Sequence, residues 1–183
     1  SYKETITQSA VSEETFQRDM NGKGSYARVK FRISPLSPEE LTEERKNIFV
    51  SSVSPEKIPA EYIKPIEEAA LSALNDGPLI NANVERVRLE LIDGDHNPVD
   101  SNELAFRIAA SMAVNKALRE AAPVIMEPLM LLTVIAPDEF VGDLIADINA
   151  KRGKISVMRR HNEHQQEVVA DVPLSELFGY ATR

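Results

Sequence analysis

Two hydrophobic periods meet in this chain, and a short polar stretch joins them. Residues 84–92 alternate: Val87, Leu89 and Leu91 fall on one side, Arg86, Arg88 and Glu90 on the other. That is the pattern of a half-buried strand. After the stretch Asp93-Gly94-Asp95-His96-Asn97-Pro98-Val99-Asp100-Ser101-Asn102-Glu103, apolar residues recur at helical spacing as Leu104, Ile108 and Met112, with Ala105, Ala109 and Ala113 beside them. A strand and a long helix therefore hold out one polar loop. Asp93-Gly94 and Asn97-Pro98 carry turn chemistry, since Gly tolerates positive φ and Pro98 drives Asn97 into an extended conformation. Asp100 followed by Glu103 has the spacing of a capping box, which places the helix start there. Loops fixed between rigid elements often carry function, although the plain alternative is a turn that only connects.

With 183 residues, the chain suits one large domain or two small ones. The break falls at Ala122-Pro123, which separates residues 1–122 from residues 123–183. Cysteine is absent, which rules out disulfides, thiolate metal sites and a cysteine nucleophile, and fits a reducing cytoplasm. The polar start lacks a signal-peptide core, and no apolar run reaches the roughly 18 residues of a membrane span. A net charge of −8 speaks against general nucleic-acid binding, because nonspecific affinity comes from cations on phosphates. Any RNA contact is then local. Lys23 with Arg28, Lys30 and Arg32 is one basic cluster, and Lys151, Arg152, Lys154, Arg159 and Arg160 form another. Each reads equally as a solvated charged face.

In chain order, residues 2–20 read as a strand, a kink and a second strand. Asn21-Gly22-Lys23-Gly24 then turns the chain, so residues 21–25 form a hairpin tip. Val29, Phe31 and Ile33 alternate with Lys30 and Arg32 in the returning strand. Residues 35–46, rich in Pro and Glu, make a surface connection with about one helical turn, followed by a strand over 47–53. A helix opens near Ile58-Pro59 and ends at Asn75-Asp76-Gly77-Pro78, with Gly77 as its left-handed cap. Past Pro123, a strand over 129–135, a helix from Pro137 closed by Gly153, two strands over 155–159 and 167–172, and a second helix from Pro173 give β-α-β-β-α. That is a ferredoxin-like order without its last strand.

Several chemistries find no footing. No Walker-type glycine loop is visible. Asp93-x-Asp95-x-Asn97 opens like a calcium loop, but Pro98 stands where glycine is required and Leu104 where a glutamate is required. His161 and His164 have a metal-compatible spacing without an apparent third ligand. No Ser-His-Asp set is evident, though such sets assemble in space.

Six separated motifs, in order, resemble the C-terminal part of the bacterial translation elongation factor G family. They are Tyr2-Lys3-Glu4-Thr5-Ile6; Asn21-Gly22-Lys23-Gly24-Ser25-Tyr26; Ile58-Pro59-Ala60-Glu61-Tyr62-Ile63; Val99-Asp100-Ser101 with Ala105-Phe106 and Ile108-Ala109-Ala110-Ser111-Met112-Ala113; Glu127-Pro128 with Gly142-Asp143 and Arg152-Gly153; and Val172-Pro173-Leu174 with Phe178-Gly179-Tyr180-Ala181-Thr182. The resemblance covers essentially the whole chain. It implies an α+β fold in two domains. The first is a ribosomal-protein-like α/β module with a left-handed βαβ crossover (domain IV). The second is a truncated ferredoxin-like domain (domain V), whose missing last strand leaves a sheet edge uncovered.

The resemblance also implies function: insertion of the domain IV tip into the small-subunit decoding site to promote tRNA–mRNA translocation. The implied RNA or ribosome contacts are Asn21, Gly22, Lys23, Gly24, Ser25, Asp95, His96, Asn97 and Pro98 at the tip. Arg152 and Lys154 would face large-subunit rRNA. The ribosome, tRNA and mRNA are the implied partners of a cytoplasmic, monomeric protein with no membrane role. No catalytic residue, metal or cofactor is expected here. GTP would belong to a GTPase domain N-terminal to both. Three positions depart from the family pattern: Asn97 stands where the family has a functional histidine (His96 lies one place earlier), Lys23 replaces an arginine, and Ser25 replaces a glutamine. They leave open a ribosome-recycling or tetracycline-protection paralogue, or a protein-interaction module away from the ribosome. A metabolic enzyme on a related fold is the remaining alternative.

Overall fold

The computed structural model describes residues 1–42 and 44–177. The chain forms two compact units, residues 2–126 and the part from Glu127 onward.

In the larger unit, β1 (Lys3–Ile6) pairs antiparallel with β6 (Pro123–Met126). That pairing carries the unit four residues past the break expected at Pro123. The main sheet has the order β2-β3-β5-β4, from β2 (Ala10–Met20), β3 (Lys23–Pro35), β4 (Asn47–Ser51) and β5 (Val87–Asp95). All neighbours are antiparallel except β4 and β5, which are parallel and joined through α1 (Ile63–Ala73). Single 3-10 turns lie at Pro38–Glu40 and at Ala60–Tyr62, the latter leading into α1. Pro65 falls in the first turn of α1, where its missing N–H costs nothing. Helix α2 (Glu103–Glu120) covers the same sheet face. Its buried stripe is Ala105, Phe106, Ala109, Ala110, Ala113, Val114, Ala117 and Leu118. This differs from the expected apolar line, because Leu104 and Met112 are exposed. Alanines let the helix axis approach Val29, Phe31, Ile33, Leu89 and Leu91, all fully buried in the same core.

In the smaller unit, β7 (Leu129–Pro137), α3 (Val141–Ala150), β8 (Lys154–Arg160) and β9 (Gln165–Pro173) follow in order. β9 lies between β7 and β8 and is antiparallel to both. This is the split β-α-β of a ferredoxin-like half. Its core is small: Ile148 with Val168, Ala170 and Val172. After β9 comes a 3-10 turn over Leu174–Leu177 in place of the start of the expected helix. The motif residues 178–182 lie outside the described residues. Among those described, the second edge of β7 has no partner strand.

Three local expectations are corrected. The hairpin turn is only Asn21-Gly22, at φ 55° and 79°, and Lys23 to Ser25 already belong to β3. Asp93-Gly94 is strand, not turn. Gly77 is not left-handed, since Gly22 is the only glycine with positive φ among the described residues. At Gly77 the Glu4 carboxylate leaves no room for a side chain. The helix expected to close at Gly153 does so, with its left-handed residue at Arg152, φ 57°. The Gly153 N–H then reaches back to the Ile148 carbonyl.

Candidate functional site

Two loops, far apart in sequence, come together at one end of the larger unit. The Tyr26 N–H donates to the Asp100 carbonyl at 3.0 Å. Ser101 Oγ donates to the Tyr26 carbonyl at 2.7 Å, and Asn102 Nδ2 donates to Ser25 Oγ at 3.1 Å. Gly24 sits so close to Asp100 that a Cβ would lie 2.6 Å from its carboxylate carbon. The hairpin end and the loop over 96–102 therefore form one double tip.

The loop is wound around Asn97. Its Oδ1 accepts from the N–H of Val99 (2.8 Å) and of Asp100 (3.0 Å), an Asx turn. Its N–H donates to Ser101 Oγ, and its carbonyl accepts from the Ser101 N–H. Asn102, rather than Asp100, caps α2 by accepting from the Ala105 N–H at 2.8 Å. Glu103 is turned away to Arg107 and does not close a capping box.

A charged lattice on the sheet face opposite the helices props this loop. A bulge opposite Lys30/Phe31 adds Ile92 to β5 and brings Asp93 and Asp95 onto the face that carries Arg28. Arg28 then meets Glu13 (2.7 Å), Asp95 (2.8 Å) and Asp93 (3.4 Å), while Lys57 meets Asp93 at 2.8 Å. The Lys57 ammonium, then the Gly94 N–H, hold the Asp93 carboxyl well below its ordinary value, to about 2. His96 Nδ1 bonds the Lys57 carbonyl at 2.8 Å. Tyr62 Oη donates to the Ser101 carbonyl, and its ring lies 4.6 Å from that of Phe106. Ile58, fully buried, presses where a side chain on Gly94 would stand.

The tip residues expected from sequence, Asn21 to Ser25 and Asp95 to Pro98, are thus brought together. Asp95, Ser25 and Asn97 also spend side-chain atoms on holding the tip itself. The basic cluster around Lys23 dissolves: Arg28 and Arg32 are ion-paired, Arg32 to Glu90. Lys23 makes no ion pair among the described residues. In the smaller unit Arg152 is committed to Glu127 (2.8 Å) and Glu176 (3.0 Å), and Lys154 is exposed. Of the buttress residues, Arg28 shows in the sequence only as one of a basic cluster, Ile58 and Tyr62 only as part of a family motif, and Lys57 carries no pattern. Only the position of Arg28 and Lys30 on one face of an alternating strand hinted at the buttress. Among the described residues, no three His, Asp or Glu side chains gather where a metal could sit.

These features define a two-unit α+β module whose larger unit carries a braced polar tip at one end. Residues 1–122 match the family described as elongation factor G, domain IV, and residues 124–183 match elongation factor G C-terminus. The chain belongs to the elongation factor G family. It is 42% identical over 182 residues to elongation factor G of Petrotoga mobilis and 43% identical over 182 residues to that of Thermotoga maritima. In both cases 99% of this chain aligns with 26% of the relative, so the chain spans about a quarter of their length. A crystal structure of a Thermus thermophilus protein superposes with a TM-score of 0.79 at 35% identity, over 99% of this chain and 26% of that one.

Proposed function

We propose that this chain is the ribosome-engaging portion of a translocating GTPase, and that its double tip enters the decoding site to help move tRNA and mRNA. The observation that carries this reading is the bracing of two distant loops into one stiff end. Recognition of structured RNA depends on shape and on hydrogen bonds to its backbone. A tip that presents Asn21, Gly22, Lys23, His96, Asn97 and Pro98 without internal play suits that task. The acidic body keeps unspecific RNA contact weak. In the smaller unit, Lys154 is the residue available to large-subunit rRNA, since Arg152 is neutralised by two carboxylates.

Chemical probing of ribosomal RNA with the intact GTP-bound parent protein tests this. Protection of decoding-site nucleotides that weakens in Lys23→Ala is expected. Ribosome binding with no decoding-site protection would overturn it.

A second reading, a recycling or protection relative that shares both units, draws support from Asn97. Its carbonyl oxygen organises the loop as an Asx turn, a bond histidine cannot supply in the same way. Under that reading Asn97→His changes the loop and leaves recycling activity no better, whereas a translocase gains from it.

A further inference from the structure

The inner face of the β2–β3 hairpin outruns the helix that covers it. Along β2 the residues Phe16, Arg18 and Met20 share the face opposite Ala27, Ser25 and Lys23 of β3. Phe16 still packs against the core. Beyond it a groove of about 740 Å³ opens between the hairpin end and the first turn of α2. Phe16, Arg18, Met20 and Lys23 line one side, Val99 and Leu104 the other. Met20, Val99 and Leu104 are 69%, 88% and 65% exposed, three bare apolar side chains beside two cations. The Arg18 guanidinium carbon lies 5.4 Å from the centre of the Phe16 ring. Neither Arg18 nor Lys23 has an ion pair among the described residues, whereas Arg28, Arg32, Arg107 and Arg152 each have at least one.

We propose that this groove binds one unstacked nucleotide of a single-stranded RNA, with the base against Arg18, Met20 and Leu104 and the phosphate on Lys23. The inference rests on the reading that the tip engages RNA, and adds a site that the tip loops alone do not provide. The Arg18 guanidinium is within cation–π range of the Phe16 ring, and its planar group is one on which bases stack. The apolar wall removes the remaining base surface from water, and the cations supply the sequence-independent attraction. The volume lies within the range of about 300–1,000 Å³ typical of small-ligand sites. Asp100 also lines the groove, against Gly24, and its charge directs a phosphate away from itself toward Lys23. A duplex offers no free base face to such a groove, so its walls would stay wet.

The test uses the 183-residue chain with its methionine methyl groups labelled, titrated with a short single-stranded oligoadenylate and separately with an RNA duplex. Met20 is the reporter inside the groove. Met112, Met126, Met130 and Met158 are the internal controls. The single strand is expected to shift Met20 alone. Arg18→Gln with Lys23→Gln is expected to weaken that binding about tenfold at low salt and to flatten its salt slope by about 0.7, the single phosphate contact at Lys23. Unchanged control methyls show that the variant is folded. A Met20 shift that survives this double change would overturn the proposal. So would a response to duplex only, seen at the Gly22 and Val99 amides, or no response at all. Decoding-site protection by the parent, measured in parallel, separates the readings: if it persists without the Met20 shift, the groove fails and the tip stands.

Discussion

Glu4 is fully buried, and its carboxylate accepts from the N–H groups of Leu79 (2.8 Å), Ile80 (3.2 Å) and Ala82 (2.9 Å). It ties the chain between α1 and β5 to the first strand. Glu4→Ala would leave three donors without partners, at about 1–3 kcal/mol for each unsatisfied group. A loss of at least about 3 kcal/mol is expected in urea unfolding. Gly77→Ala should act on the same contact, because a methyl there overlaps the Glu4 carboxylate. Asp93 gives a pH signature. Its carboxyl titrates well below the ordinary 3.8, at about 2, first because of Lys57. Its contribution to stability is therefore complete above pH 3.8 and is lost as the pH falls through about 2. Carboxyl NMR titration should find Asp93 ionised at about pH 3, between those two values. In Lys57→Met its midpoint should move up toward the ordinary carboxylate value; an unmoved midpoint would show that Lys57 does not hold it.

At the scale of elements, α2 and β5 set the tip. Ala110 and Ala113 are fully buried in the helix–sheet contact. Ala113→Leu should cost about 1–3 kcal/mol by overpacking, while Met112→Ala on the exposed side should stay within about 0.5 kcal/mol. Thermal unfolding of the two variants distinguishes this stripe from the Leu104–Ile108–Met112 line. That line misled because both lines have helical spacing, and hydrophobicity alone favours leucine and methionine over alanine. Apart from β6, which the boundary at Pro123 hid, and the 3-10 turn where a second helix was expected after Pro173, the order of elements was legible, since Val29, Phe31 and Ile33, or Val87, Leu89 and Leu91, leave no other period. The end of β5 was not. A strict alternation places Asp93 in the core, so Asp93-Gly94 reads as a turn, and only the bulge at Ile92 turns both aspartates toward Arg28. The two tip loops could be located in sequence, but not their joining. The bonds between Tyr26, Asp100 and Ser101 use backbone atoms and one hydroxyl, which carry no pattern.

For the whole molecule, the two units differ in how much core each owns. The larger buries residues from every one of its main-sheet strands except β2 and β4, and from both helices, in one cluster. The smaller relies on Ile148, Val168, Ala170 and Val172. Small cores open more readily. Amides of β8 should therefore exchange with solvent well before those of β3 and β5. Equal protection would mean that the smaller unit draws stability from more than its own core. The central claim, that the braced tip acts in translocation, is tested most directly by grafting residues 1–183 into the matching part of an authentic elongation factor G. Single-round movement of mRNA on the ribosome is then followed. Movement near the parent rate is expected, together with a marked slowing when Arg28→Met and Tyr62→Phe release the tip loop. Ribosome binding and GTP hydrolysis without movement, in the unaltered graft, would contradict the claim.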